Sequence, residues 1–212
     1  MKIVTIGNSK GGVGKSTIAT NLAVCAVKNG KKTLLVDADI QGSAQGFRSL
    51  RETDDVKCVS ITSPTLNKDL KDFASYHLIV VDAGGRDSKV FRSAVAAADL
   101  LIIPVLPSVY DVWAASDTID VLKEIRVAKD IEARILLNML MPNTIMGRET
   151  LDALEDYSED APLLESKIHA RASFKNCVAK GLGVVEFEPK SKAADEMRSL
   201  YNEITAGQME EK

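Results

Sequence analysis

The most constraining feature of the sequence is a glycine-rich loop that follows its first apolar run. Residues 3–6 are Ile-Val-Thr-Ile, and residues 10–17 are Lys-Gly-Gly-Val-Gly-Lys-Ser-Thr. A loop of this kind between a strand and a helix turns backbone N–H groups inward, and the positive end of the helix dipole faces the same point. Because such a concavity binds polyphosphate, the sequence predicts a strand, a phosphate-binding loop and a helix that begins at Lys15.

Each fixed position of the loop has a role in a nucleoside triphosphate site. Lys15 is expected to reach the β and γ phosphates, the Ser16 hydroxyl to bind Mg²⁺, and Thr17 to lie near the α phosphate. The backbone that cradles the phosphates belongs to Gly11, Gly12, Val13 and Gly14. Ser9 replaces the first glycine of the usual motif, at a strand exit that needs no positive φ.

Two other interpretations of the loop are a chance glycine-rich turn and a dinucleotide-binding fingerprint. Gly12-x-Gly14 followed by Asp37 resembles a G-x-G-x-x-G unit with its ribose-binding acid. Thr17, however, occupies the place of the third glycine, and the pair Lys15-Ser16 has no function in that unit. The triphosphate interpretation is preferred because it uses every fixed residue of the loop.

Polar residues end three further apolar runs. Asp37 and Asp39 follow residues 33–36, Asp82 follows residues 78–81, and Asn138 follows residues 135–137. Asp82 is expected to hold Mg²⁺ directly or through water, as the acid that a buried parallel strand delivers to the edge of the sheet. The other three residues could contact the same ligand or have only local structural roles. In the second case, Asp37 and Asp39 would cap a helix over residues 43–51, and Asn138 would close a turn.

Strands and helices alternate along the chain. Strands are predicted near residues 2–7, 32–37, 56–60, 76–82, 99–105 and 131–138, and helices near 15–29, 43–51, 65–73, 88–97 and 111–127. This alternation predicts an α/β fold, a doubly wound and mostly parallel sheet flanked by helices, as in P-loop NTPases. Ligands of such sheets lie beyond the carboxyl ends of the strands. The length fits one domain over residues 1–212.

The loop carries a second lysine, Lys10, and in this it resembles the deviant Walker A motif of the ParA/MinD family of P-loop ATPases. The segment Asp37-Ala-Asp39-Ile-Gln-Gly resembles the switch segment of the same family. The resemblance implies an ATP-dependent homodimer in which Lys10 reaches the partner's nucleotide, so that Lys10 joins Lys15 and Asp39 as a catalytic residue. It further implies that Asp39 orients the attacking water, that Asp37 holds the Mg²⁺ hydration shell, and that Asn138 recognises adenine.

Residues 171–186 and 193–196 resemble the C-terminal part of small ParA-type partition ATPases, also called the ParF type. Non-specific DNA binding needs little more than Lys and Arg placed against the phosphate backbone. The candidates for this role are Arg171, Lys175, Lys192 and Arg198. Ordinary solvated helix faces explain the same charges, since the net charge of −3 attracts neither nucleic acid nor anionic lipid as a whole.

Composition excludes several other classes of protein. The three cysteines, Cys25, Cys58 and Cys177, have no paired spacing, which argues against a disulfide framework or a zinc site. The acid-rich segment 203–212 differs from the basic amphipathic helix of a MinD-like membrane cycler, so no membrane partner is expected. The chain is expected to be cytoplasmic and associated with the bacterial nucleoid.

The resemblance thus implies a Mg²⁺-dependent ATPase for plasmid or chromosome partition, stimulated by an adaptor protein bound to the centromere or to another cargo. The alternative is a MinD-like or orphan ParA-like ATPase that positions a cargo other than DNA. Arg86, beside the glycines at 84 and 85, is a candidate arginine finger in cis.

Overall fold

One parallel sheet organises the computed structural model, which describes residues 1–85, 88–141 and 145–206. Its strand order is β3-β2-β4-β1-β5-β6, and every neighbouring pair is parallel. The strands are β1 Lys2–Ile6, β2 Thr33–Ala38, β3 Lys57–Ser60, β4 Leu78–Ala83, β5 Leu100–Val105 and β6 Glu132–Leu137. The predicted α/β fold is confirmed, and each predicted strand bound is within two residues of the observed one.

Helices connect most of the successive strands, and the chain after β6 is helical apart from loops and short turns. They are α1 Lys15–Lys28, α2 Ser43–Leu50, α3 Leu66–Asp69, α4 Lys89–Ala97, α5 Val109–Arg126, α6 Ile145–Leu154, α7 Ala172–Val178, α8 Val184–Phe187 and α9 Lys192–Thr205. The helix predicted over residues 65–73 is divided into α3 and a 3₁₀ turn, Leu70–Phe73. None of the helices in the described part of the chain is long and apolar enough to cross a membrane.

Side chains alternate between the two faces of the sheet and build a core on each. Along β4, Ile79 and Val81 join the core that contains α4 and α5, whereas Val80 joins the core that contains α1 and α9. This period of two is expected of a strand that is buried on both sides. The sheet is therefore a central layer between helices.

The register of the central strands brings the candidate acids to one edge. Asp82 pairs in register with Ile6 of β1 and with Asp37 of β2. All three positions lie at the carboxyl ends of their strands, directly below the loop that joins β1 to α1. In doubly wound sheets this edge is where ligands bind.

The carboxyl-terminal helices close over the helix that follows the glycine-rich loop. Met197 and Leu200 of α9 are fully buried in the core that α1 shares. The Val184 amide donates a hydrogen bond to the Asn21 side-chain oxygen at 2.7 Å, and the Lys2 ammonium donates one to the Ile204 carbonyl at 2.8 Å. The last described helix is thus attached to both the first strand and the first helix.

Candidate functional site

The loop between β1 and α1 has the backbone geometry of an anion site. Gly12 and Gly14 have φ values of 80° and 90°, in the left-handed region that favours glycine. Gly14 also has no room for a side chain, since an added Cβ would lie 2.4 Å from Asn138 Nδ2. Gly14 precedes the first turn of α1, where amide groups without intrahelical partners point toward the loop.

Lys15 directs its ammonium back into this loop. Its residue is 8% exposed, and Nζ donates a hydrogen bond to the Lys10 carbonyl at 2.7 Å. Burial lowers the pKa of Lys15, and the charges of Asp82 and Asp39 oppose that shift. A triphosphate in the loop would give this desolvated ammonium a close anionic partner.

Asp82 has the features of a cation ligand. It is 1% exposed, and no group in the described ranges makes a hydrogen bond of normal geometry to either carboxylate oxygen. Burial raises its pKa to about 7, while the Ser16 hydroxyl and Lys15 oppose the rise. A buried, unpartnered carboxylate beside a serine hydroxyl fits Mg²⁺, which binds few protein oxygens and completes its shell with phosphate and water.

The two acids at the carboxyl end of β2, Asp37 within the strand and Asp39 directly after it, make different contacts. Asp37 is fully buried, and its oxygens accept hydrogen bonds from the amides of Asp39 at 3.1 Å and Gln45 at 2.8 Å. Asp37 thus accepts a hydrogen bond from an amide in the first turn of α2. This helix-capping contact was the alternative to a role in metal binding. Among the described residues, Asp39 accepts one hydrogen bond, from the Gln41 amide at 3.0 Å.

A cavity of about 650 Å³ contains most of the predicted phosphate-binding groups and the metal candidate Ser16, whereas Asp37 and Asp82 are buried and do not line it. Its lining includes Gly11, Gly12, Gly14, Lys15, Ser16, Thr17, Asp39 and Gly85. Gly85 approaches the loop closely, because a Cβ at this residue would lie 3.4 Å from both Gly11 N and Lys15 Nζ. Together with Met139, these residues come from the segments that follow four strands, β1, β2, β4 and β6, and they surround one concave space.

A second cavity, of about 390 Å³, shares Thr17 and Met139 with the first. Ile168, Ala170 and Phe174 give it a largely apolar wall, as a planar base requires. Asn138 also lines this space, but its amide donates to the Val13 carbonyl at 2.7 Å and the residue is only 3% exposed. The predicted adenine contact therefore also holds the phosphate loop in place.

Lys10 lies on the loop but directs its side chain elsewhere. Its Nζ is 2.9 Å from Asp111 Oδ2 on α5, and its backbone amide donates to Asn8 Oδ1 at 2.9 Å. The two lysines of the loop are thus separated, with one inside the phosphate cavity and the other paired with a helix beside it. Sequence reasoning missed Asp111, although Ser108-x-x-Asp111 is a helix-start pattern.

The four candidate DNA contacts differ in their environments. Arg171 Nη2 is 2.6 Å from Glu196, and Arg198 Nη1 is 3.0 Å from Asp195. Lys175 and Lys192 are exposed and make no ion pair within the described residues. Arg171 and Lys175 also line the second cavity.

Arg86, the candidate arginine finger, lies outside the described residues. No role is therefore assigned to it from the geometry of the site.

The sequence matches a known family along most of its length. The family model described as the CobQ/CobB/MinD/ParA nucleotide binding domain matches residues 4–184. Maintenance of carboxysome distribution protein A from Halothiobacillus neapolitanus is 30% identical over 209 residues, which cover 95% of each chain. The chromosome-partitioning ATPase Soj from Thermus thermophilus is 25% identical over 237 residues, which cover 96% of this chain and 95% of Soj.

Solved structures show the same fold. The ATP complex of a McdA variant from Cyanothece has a TM-score of 0.80 at 13% identity, with coverage of 98% of this chain and 96% of that one. The septum site-determining protein MinD from Pyrococcus horikoshii, complexed with Mg-ADP, has a TM-score of 0.79 at 20% identity, with coverage of 98% and 97%. The architecture of this chain is therefore one on which nucleotide sites of this type are built.

Proposed function

Because this chain belongs to the CobQ/CobB/MinD/ParA family of nucleotide-binding domains, we propose that it is a Mg²⁺-dependent ATPase that dimerises around ATP and positions a large cargo. The resemblance to the ParA/MinD family, first seen in the doubled lysine, is thereby confirmed. The observation that carries the proposal is the separation of the two lysines. Lys15 occupies the phosphate cavity of its own chain, whereas Lys10 points out of it toward α5.

Groups in the cavity and the buried Asp82 below the loop have separate tasks in ATP hydrolysis. Lys15 and the loop amides bind the triphosphate, and Ser16 and Asp82 hold the metal ion. Bound Mg²⁺ supplies charge stabilisation at the phosphate oxygens. Asp39 is placed to orient a water molecule, since only one hydrogen bond from the described residues occupies its carboxylate and it lines the same space.

The proposed cargo is a large protein assembly. Relatives named for carboxysome distribution, from Halothiobacillus neapolitanus and Gloeobacter kilaueensis, share 30% identity with this chain. The Soj proteins from Thermus thermophilus and Bacillus subtilis share 25% and 23%. Partition of a plasmid or chromosome, the first expectation from the sequence, is the second candidate, because those relatives match along almost the whole chain.

Deletion of the gene in its host separates the two cargoes. If the cargo is a protein assembly, labelled assemblies should lose their even spacing while a resident plasmid is retained through generations. Plasmid loss from cells whose assemblies stay evenly spaced would instead support partition. An adaptor protein on the cargo is part of either proposal, because the resemblance to ParA-type partition ATPases implies such a partner.

While it positions its cargo, the ATPase is proposed to bind nucleoid DNA without sequence preference. Lys175 and Lys192 are the better candidates for phosphate contacts, because Arg171 and Arg198 are already paired with acids. A lysine that has no acidic partner can neutralise a phosphate without first breaking an ion pair. Of the four predicted DNA contacts, the proposal therefore favours the two lysines over the two arginines.

Replacing both Lys175 and Lys192 with glutamate should weaken ATP-dependent DNA binding, measured by gel shift at low salt. Two lost phosphate contacts should reduce the slope of log affinity against log salt by about 2. Lys71→Glu is the matched control, since Lys71 is exposed and lies by the core on the opposite face of the sheet. Equal losses in the control and the double variant would place DNA binding elsewhere.

Lys10→Gln should leave ATP binding to the single chain unchanged but strongly reduce the ATP-dependent dimer, measured by light scattering. Glutamine retains a donor for Asp111 but carries no charge for a partner's phosphates. Thermal unfolding of the variant checks that the fold survives. Dimer fractions equal to those of the unmodified chain would show that Lys10 has no function in trans.

A further inference from the structure

One wall of the second cavity is a short segment that lies beside the end of β6. Residues 168–171, which we call the cavity wall, all line this cavity. The Ile168 amide donates to the Leu137 carbonyl at 3.0 Å, and the Ala170 amide donates to the Leu140 carbonyl at 3.1 Å. These hydrogen bonds attach one edge of the cavity wall to the end of β6 and to the residues that follow it.

The cavity wall has open space on its other side as well. His169 and Arg171 also line a larger cavity of about 970 Å³, which lies between the cavity wall and α9. Because these two residues border both spaces, the cavity wall is only one segment thick where they lie. A thin segment needs support from outside if it is to keep a fixed position against a ligand.

Glu196 of α9 supplies this support from the larger cavity. Its Oε2 accepts a hydrogen bond from the His169 amide at 3.1 Å. Its Oε1 is 2.9 Å from His169 Nδ1 and accepts hydrogen bonds from Arg171 Nε at 3.0 Å and from Arg171 Nη2 at 2.6 Å. One carboxylate thus contacts both the backbone and the side chains of the cavity wall.

The contacts of Glu196 keep its carboxylate charged. The side chain is 14% exposed. Burial opposes ionisation of Glu196, but the hydrogen bonds from Arg171 and from the His169 amide outweigh burial and lower the pKa of Glu196 below its usual range. Hydrogen bonds to a charged acceptor are stronger than those between neutral groups. The support of the cavity wall therefore depends on the charge of this residue.

Arg171 also connects the cavity wall to the helix that completes the second cavity. It is the N-cap residue of α7, which begins at Ala172. Phe174, in the first turn of α7, is 7% exposed and lines the second cavity. By holding Arg171, Glu196 therefore also fixes the start of the helix that carries this aromatic ring.

We propose that Glu196 is a positioning residue for the base of the nucleotide, and that it acts through His169 and Arg171 on the wall of the second cavity. The inference rests on the proposed function, because it assumes that the phosphates occupy the adjoining loop. Thr17 and Met139 line both cavities, so a nucleotide bound at the loop can place its base in the second one. Glu196 lies outside the second cavity, so its contribution is the order of the wall.

Glu196→Gln removes this support and retains the size of the side chain. Glutamine has one acceptor oxygen, and an N–H₂ donor replaces the other carboxylate oxygen. It can therefore accept from the His169 amide or from Arg171, and the other group loses its acceptor. We expect the cavity wall to lose its fixed position and the affinity for Mg²⁺-ATP to fall several-fold.

Inorganic triphosphate distinguishes a loss at the cavity wall from general damage to the fold. Mg²⁺-tripolyphosphate has no base, so it should bind to Glu196→Gln as tightly as to the unmodified chain. Calorimetric titration gives the affinities for Mg²⁺-ATP and for Mg²⁺-tripolyphosphate, and their ratio is the quantity to compare. A variant that binds both ligands more weakly, with the ratio unchanged, would overturn the inference.

Glu203→Gln is the matched control on the same helix. Glu203 lies about two turns after Glu196. Its Oε1 and Oε2 accept hydrogen bonds from the amides of Glu165 at 2.7 Å and Ser166 at 2.9 Å. Glutamine at position 203 should lose the same kind of bond, but those amides lie outside the second cavity, so the affinity ratio should not change. Equal changes of the ratio in the two variants would assign the effect to the packing of α9 as a whole.

A double-mutant cycle tests whether Glu196 acts through Arg171. Arg171→Gln should lower the affinity ratio by itself, and adding Glu196→Gln to it should have little further effect, because the two residues form one contact. Losses that simply add in the double variant would contradict an effect of Glu196 through this arginine.

The same titrations separate the failure of this inference from the failure of the proposed function. If the unmodified chain binds Mg²⁺-ATP no more tightly than Mg²⁺-tripolyphosphate, the second cavity does not bind the base and the inference fails. The ATPase proposal would then still be supported by release of phosphate from ATP. If the unmodified chain binds neither ligand, both proposals fail.

Discussion

Replacement of Lys15 with alanine is expected to lower the affinity for Mg²⁺-ATP by about 30- to 4,000-fold, because removal of one member of a buried charge pair costs about 2–5 kcal/mol. Lys15 is 8% exposed, and burial already lowers its pKa. Its ammonium therefore gains more from a phosphate partner than an exposed lysine would. Calorimetric titration of the variant with Mg²⁺-ATP measures the loss.

Lys10→Gln is the matched control for this experiment. Both substitutions remove one positive charge from the same loop, but only Lys15 has its ammonium in the phosphate cavity of its own chain. The loss of affinity in the single chain should therefore be confined to Lys15→Ala. Equal losses would mean that both lysines bind the nucleotide in cis, and the role of Lys10 in trans would be excluded.

Replacement of Asp39 with alanine should slow ATP hydrolysis by about 10²–10⁴-fold, the usual contribution of a positioned general base. Nucleotide binding should be retained, so the ATP-bound dimer should accumulate. Single-turnover phosphate release gives the rate, and light scattering gives the dimer fraction. Hydrolysis at the rate of the unmodified chain would exclude Asp39 as the residue that orients water.

Asp39→Asn separates chemistry from structure at the same position. Asparagine can still accept the hydrogen bond from the Gln41 amide, now 3.0 Å from Asp39 Oδ1, but it is a poor base. If the carboxylate acts on water, Asp39→Asn should be as slow as Asp39→Ala. Recovery of activity in the asparagine variant would instead assign Asp39 a role in shaping the switch segment.

Local patterns were sufficient to predict the sheet and the edge where the site lies. Each buried parallel strand is a short apolar run, and a polar residue marks the end of the run, as at Asp37, Asp82 and Asn138. Because parallel strands present their carboxyl ends at the same edge, the convergence of these residues followed from topology alone. The single-domain organisation over residues 1–212 stays a prediction.

Contacts between distant segments could not be predicted in this way. The bond from Asn138 to the Val13 carbonyl joins residues 125 positions apart, and the ion pair of Lys10 with Asp111 joins residues 101 positions apart. The pairing of Arg171 with Glu196 likewise depends on how α9 packs. Counting charges along the sequence shows that basic residues outnumber acids in the carboxyl-terminal segment. It does not show which of these basic side chains are already paired with an acid, as Arg171 is.

The attachment of α9 to α1 and of Ile204 to Lys2 also affects synthesis of the protein. A nascent chain has its glycine-rich loop from the start, but the part of α1 that packs against α9 stays uncovered until residues near 200 have left the ribosome. We expect the loop to become rigid only then. The proposed ATP-dependent pairing should therefore be confined to finished chains.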